Sequence, residues 1–299
     1  MKKFYCVVFL IISHSFLGVT SVWAKRASID QLNLREVATI QSGDTFAPQP
    51  ETFTYDSGIS SQPKLEALFY SAKYPKAFIV YLHGGGCQRL RGHDDLTYFN
   101  QTKQALLDAN YSVVVLDYTN GVDITGLFRA RGITASMACE TAVNTQLLEI
   151  DNVLPQIRAQ RNVSVPMILL GHSYGGYLTN LLVSDPRARA AVDGFVSYEG
   201  VWDASLLRVA NIDLDISLNV NPLSRSPILR GPLLVIQTED DPVVPIQQLD
   251  FLIPWAEKNQ SSAFELLRIK NGGHLPTSLA TIDSVVAAID HFTDEIIKR

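Results

Sequence analysis

"ILLGHSYGGYLTN", Ile168 to Asn180, decides how this chain is read. An apolar run leads into Gly171-His172-Ser173-Tyr174-Gly175, and an apolar pattern at helical spacing follows it. The five residues fit G-x-S-x-G in the strand–turn–helix setting that gives the pattern its physical meaning. A serine on a sharp, strained turn projects its hydroxyl from the sheet edge. Gly171 and Gly175 flank it because larger side chains would clash there. The helix behind aims its N-terminal amides at any negative charge that develops in front of it. A serine N-cap on an ordinary helix would look much the same over this stretch alone, so the other parts of a site must be found elsewhere.

Working outward, apolar runs alternate with helical patterns. Leu65–Tyr70, "AFIVYL" (Ala77–Leu82), "SVVVLDY" (Ser112–Tyr118), "PMILLG" (Pro166–Gly171), "GFVSYE" (Gly194–Glu199), "PLLVIQT" (Pro232–Thr238) and "FELLRIK" (Phe264–Lys270) read as strands. Helices are expected within Leu96–Ala109, over Cys139–Gln160, and over Gly176–Ser184, Ile246–Lys258 and Ser278–Ile297. Pro155 is expected to kink the second of these or end it early. This alternation predicts an α/β fold, a mostly parallel central sheet with helices on both faces. Thr119–Ala135 reads as irregular. Val201–Pro227 is longer than an ordinary connection and suits a small cap at 201–227.

Three further stretches carry chemistry. "VYLHGGGCQ" sets His83-Gly84-Gly85-Gly86 after a buried strand, where glycines let the backbone turn an N–H toward a substrate carbonyl. Gly84 and Gly85, with the amide of Tyr174, are the candidate oxyanion donors. His83 reads as a residue that fixes this loop. A serine hydroxyl also needs a base. "IKNGGHLPT" places His274 in a glycine-rich loop after the last strand, and the chain order serine, acid, histidine favours it over His93. The acid that orients the base is expected after the preceding strand, where "TEDDPVVP" supplies Glu239, Asp240 and Asp241. Spacing alone does not separate Asp240 from Asp241.

Composition bounds the rest. The chain has 299 residues, 46% hydrophobic and 18% charged, enough for one large domain with a sizeable core. The net charge is −5 and no Lys/Arg run exceeds a pair, which leaves no footprint for nucleic acid. Lys2 and Lys3, the apolar Tyr5–Leu17 and a small-residue site at Val22-Trp23-Ala24 read as a signal peptide over 1–24. The expectation is therefore an exported protein, periplasmic or secreted, with no membrane span after signal removal. A polar lead-in over 25–52 and a catalytic domain over 53–299 would follow. Cys87 and Cys139 form a candidate disulfide in an oxidising compartment. Arg89, Arg91, Arg129 and Arg131 are candidates for the mouth of a site that takes acidic substrates. No paired-cysteine spacing suggests a metal.

With these parts in order, the chain from about Thr52 onward resembles the α/β-hydrolase superfamily. "GHSYGGYLTN", "RARAAVDGFVSYEGVWD", "DDPVVP" and "GGH" are most similar to the catalytic domain of prolyl-oligopeptidase-type serine peptidases. The resemblance implies a triad of Ser173, Asp240 and His274, because the first aspartate of the family's paired acid is its triad member. It also implies a hydrophobic pocket near Tyr174, Trp202 and Val243, with neither metal nor organic cofactor. The departures are the missing room for an N-terminal propeller and the His-Gly-Gly-Gly loop, which is more typical of esterases in the superfamily. The expected activity is hydrolysis of small carboxylic esters. A small peptidase acting on short peptides is the alternative, and a binding protein on an inactive hydrolase scaffold is the third reading.

Overall fold

The computed structural model describes residues 50–59, 64–84, 97–118, 133–160, 164–203, 206, 221–225, 229, 231–259, 264–275 and 278–299, with only the backbone at 97–99 and 133–139. Eight strands form one sheet: β1 Glu51–Asp56, β2 Lys64–Tyr70, β3 Ala77–Leu82, β4 Tyr111–Leu116, β5 Met167–His172, β6 Gly194–Tyr198, β7 Leu233–Thr238 and β8 Phe264–Ile269. The spatial order is β1-β2-β4-β3-β5-β6-β7-β8. β1 and β2 pair antiparallel, as do β2 and β4, and all the other pairs are parallel. The described helices are α1 Thr97–Asp108, α2 Ile133–Gln160, α3 Tyr174–Leu182, α4 Pro186–Ala191, α5 Pro222–Arg225, α6 Gln248–Asn259 and α7 Leu279–Ile297.

Continuous apolar runs become central strands because both faces of the sheet are covered. Along β3, Phe78, Val80 and Leu82 join one core cluster, which also holds Val143, Leu147 and Ile150 of α2, Leu178 of α3 and Leu252 of α6. Ile79 and Tyr81 point into the other cluster, with Leu106 of α1 and Ile289 and Phe292 of α7. The two-residue period of the strand thus feeds two separate cores.

Three differences from the sequence reading have local causes. β1 begins inside the expected lead-in and was not anticipated. It is an edge strand with mostly exposed side chains, so it lacks the apolar run that marks the others. α2 starts at Ile133, within the stretch read as irregular, and continues past Pro155 to Gln160. Pro155 faces solvent, and the helix runs on through it. α4 is a short helix started by Asp185, whose carboxylate accepts from the N–H groups of Arg187 and Ala188, with Pro186 at its first position. The signal peptide and most of the cap expected at 201–227 lie outside the described residues.

The chain passes from β3 to β4 on one side and returns to β5 on the other. The sheet therefore has its topological switch between β3 and β5, where parallel sheets open a crevice at the carboxyl ends of the strands. Leu82 is in register with Gly171, and His172 with Tyr198. This aligns the ends of β3, β5 and β6 along one edge.

Candidate active site

Ser173 sits directly past β5 and before α3, at φ 54° and ψ −114°. A non-glycine residue in the left-handed region is strained, which is what an elbow requires. Two contacts explain the flanking glycines. A Cβ on Gly171 would lie 2.1 Å from the Gly175 carbonyl oxygen, and one on Gly175 would lie 2.0 Å from that of Leu82. The Ser173 side chain makes no capping bond to α3, so the helix-cap reading of this serine does not hold. Its backbone N–H donates to the Tyr198 carbonyl at 2.9 Å, which ties the elbow to β6.

His274 Nε2 lies 2.8 Å from Ser173 Oγ, and His274 Nδ1 lies 2.8 Å from Asp241 Oδ2. The serine hydroxyl can donate to Nε2 while Nδ1–H donates to the carboxylate, which is the orientation a base needs. Asp241 is 6% exposed, and its other oxygen accepts from the N–H groups of Val243 and Val244 at 2.7 and 2.9 Å. The structure corrects the choice of Asp240. That carboxylate accepts from Gly272 and Gly273 N–H, both at 2.9 Å, and these two bonds hold it below the usual carboxylate range. The two aspartates divide the work on one turn. Asp240 grips the backbone of the histidine loop, and Asp241 reaches the ring.

Gly84 is buried, and a Cβ there would lie 3.0 Å from the Ser173 Cβ, so this backbone passes directly against the serine. His83 acts as a loop anchor: its ring stacks on Tyr118 at 4.6 Å, its Nδ1 contacts the Gly84 carbonyl, and its backbone carbonyl accepts from the Tyr118 hydroxyl. Tyr174 opens α3 immediately behind the serine, and its hydroxyl donates to Gln146 Oε1 at 2.6 Å. Trp202 is corrected as a substrate contact. It is 1% exposed and stands against Trp255, with centroids 6.0 Å apart, in the interior beside α6. Val243 is 37% exposed beside the triad acid. Gly85, Cys87, Arg89, Arg91, Arg129, Arg131 and the Cys139 side chain lie outside the described residues.

The sequence reading did not single out Glu199. It stands just past the end of β6 at φ 49°, fully buried. Its Oε2 lies 3.2 Å from His172 Nε2 and 3.6 Å from His274 Nδ1, and its Oε1 lies 2.9 Å from Thr238 Oγ1. Burial raises the carboxyl to about 9, with the His274 charge opposing and Asp241 adding. Burial likewise pushes the His172 imidazole down to about 4. The His172–Glu199 contact is therefore between two neutral groups. An acidic residue closing a buried parallel strand, as in "GFVSYE", was the available signal.

The donor atoms of His172, Glu199 and His274 all lie within 4.8 Å of one another, a spacing compatible with a metal ion. Hydrogen bonding accounts for them without one. His172 Nε2 lies 3.0 Å from the His274 carbonyl, which only accepts, so that nitrogen carries a proton and has no lone pair to offer. His274 Nδ1 is engaged by Asp241.

No protein-family model matches the sequence, and no curated protein matches it. Solved structures do resemble its fold. A puromycin hydrolase aligns at a TM-score of 0.61 and 17% identity over 84% of this chain and 40% of that one. The esterase domain of a Rhodothermus marinus protein aligns at 0.56 and 18%, over 82% of this chain and 97% of the other. The acylaminoacyl peptidase of Pyrococcus horikoshii aligns at 0.59 and 17%, over 82% and 41%. The chain thus spans about two-fifths of the two longer proteins and nearly all of the esterase domain. The mostly parallel eight-stranded sheet, its reversal beside the serine and these structural likenesses give this chain the α/β-hydrolase fold.

Proposed function

We propose that this chain is a serine hydrolase that cleaves carboxylic esters through an acyl-enzyme on Ser173. One observation carries the reading. His274 Nε2 lies 2.8 Å from Ser173 Oγ while its Nδ1 lies 2.8 Å from Asp241, so nucleophile, base and orienting acid are assembled in one line. In the proposed cycle, Ser173 Oγ attacks the ester carbonyl as His274 Nε2 takes its proton. Asp241 stabilises the imidazolium, and His274 then protonates the leaving alcohol. Water repeats the sequence on the acyl-enzyme and releases the acid. The amide of Tyr174 and the backbone of Gly84 and Gly85 are the proposed oxyanion donors. Gly84 is supported by its close approach to Ser173. An inactive scaffold is disfavoured, because a binding module has no use for an assembled triad.

The peptidase reading keeps a specific observation behind it: peptidase and esterase structures align about equally well with this chain. The His83-Gly84-Gly85-Gly86 loop, which is more typical of esterases in the superfamily, favours esters. We further propose export, on the strength of residues 1–24. The test is fluorophosphonate labelling of the wild type and Ser173→Ala, followed by kcat/KM on matched p-nitrophenyl esters and aminoacyl arylamides. Labelling confined to the wild type with esters preferred is expected. Better kcat/KM on arylamides would overturn the ester assignment, and equal labelling of both proteins would overturn the nucleophile.

A further inference from the structure

The interior behind the triad poses a proton-counting problem that the triad itself does not use. Thr238 Oγ1 lies 2.9 Å from Glu199 Oε1 and 2.8 Å from the Gly273 carbonyl. A threonine hydroxyl has one hydrogen, and a carbonyl only accepts. With the hydroxyl proton on the shorter contact, to Gly273, a protonated Glu199 supplies the proton of the other contact as an O–H donor. On the other side a single N–H faces two acceptors. His172 Nε2 lies 3.0 Å from the His274 carbonyl, which only accepts, so this nitrogen carries the proton and Glu199 Oε2, 3.2 Å away, accepts a share of it.

We propose that Glu199 is a positioning residue: as a neutral carboxylic acid it links Thr238 to His172 and, through them, fixes the Gly273 and His274 carbonyls of the loop that carries the base. One oxygen donates and the other accepts, so a single side chain sets both partners. With Asp240 on the amides of Gly272 and Gly273, both carbonyls and both preceding amides of this loop are held. Glu199 holds a left-handed φ of 49°, and its carboxyl lies 3.6 Å from the His274 ring. Neutrality also leaves Asp241 as the single anion in contact with the ring. A second carboxylate 3.6 Å from Nδ1 would compete for its proton.

This inference rests on the serine-hydrolase reading for its kinetic consequences, though not for the protonation state. The titratable groups facing Glu199 are Asp240 and Asp241 after β7, His274 after β8, His172 at the end of β5 and Tyr198 on its own strand. Loss of the Glu199 proton above about pH 9 removes the donor to Thr238 and adds an anion near His274. The wild type should therefore lose kcat on the alkaline side.

The experiment compares the wild type, Glu199→Ala, Glu199→Gln and Thr238→Val on a p-nitrophenyl ester from pH 6 to 10.5, with infrared difference spectra of wild type minus Glu199→Gln. We expect Glu199→Ala to lower kcat roughly tenfold or more with little change in KM. A glutamine amide can still donate to Thr238 and accept from His172 but cannot ionise. Glu199→Gln should therefore recover most of that loss and lack the alkaline limb. Thr238→Val breaks the same link without touching Glu199 and should lower kcat with KM retained, which serves if Glu199→Ala does not fold. The difference spectrum should show an un-ionised carboxylic acid C=O band at pH 7. Glu199→Gln as impaired as Glu199→Ala, a wild-type-like Thr238→Val, or no carboxylic acid band would each overturn the proposal. A wild type that shows the band but neither labels nor turns over would instead overturn the hydrolase reading.

Discussion

His274 Nδ1 reaches Asp241 Oδ2 at 2.8 Å, while Asp240, one residue earlier, points its carboxylate to the backbone of the loop that carries the same histidine. Adjacent residues on one turn cannot send their side chains the same way, so only one of them meets the ring.

This geometry separates the two acids in kinetics. Asp241→Asn should lower kcat by roughly 10³–10⁴, because the amide cannot fix the tautomer or stabilise the imidazolium. Asp240→Asn weakens only the grip on Gly272 and Gly273 and should cost about tenfold or less. Steady-state kinetics on one ester decide it, and a larger loss from Asp240→Asn would reverse the assignment.

The elbow makes a stability prediction. A Cβ on Gly175 would fall 2.0 Å from a backbone oxygen of β3, which cannot rotate away as a side chain would. Gly175→Ala should destabilise the protein by roughly 3 kcal/mol or more. Urea unfolding midpoints measure this, and a midpoint equal to the wild type would show that the elbow tolerates the methyl group.

His172 is buried beside two ionisable partners of the site yet held neutral, its imidazole pushed down to about 4. Its ring resonances should stay in the neutral Nε2–H form from pH 8 to pH 5, as followed by nitrogen-15 correlation spectra. A midpoint near 6.5 would contradict the buried contact with the His274 carbonyl.

Glu149 on α2 is fully buried, and burial, with Asp117 adding, raises it to about 8. The folded state then keeps a proton that the unfolded chain releases above about pH 4.5. Its contribution is most favourable below pH 4.5 and is lost as pH rises toward 8. Glu149→Gln should therefore raise Tm at pH 8, on the order of 5 °C, and change it much less at pH 5. Scanning calorimetry at the two pH values tests the sign, and an equal shift at both would exclude titration as the cause.

Much of this was legible in the chain. Continuous apolar runs such as "AFIVYL" and "PMILLG" marked buried parallel strands, because only a strand covered on both faces can be apolar at every position. Gly-His-Ser-Tyr-Gly marked the elbow, because small neighbours and a helix behind it are local requirements. His274 followed from chain order. β1 and α4 were not legible, since an exposed edge strand and a single capped turn lack such periodicity.

The sequence by itself determined the α/β alternation, the elbow at Ser173 and the histidine loop, all consequences of short-range pattern and steric need. Tertiary structure alone decided which aspartate meets His274, that Trp202 is core, and that Glu199 lies under the base. Those outcomes depend on strands brought side by side from distant parts of the chain. Glu199 and Thr238 are hydrogen-bonded neighbours 39 positions apart, and no local rule of spacing encodes which buried groups will share a proton.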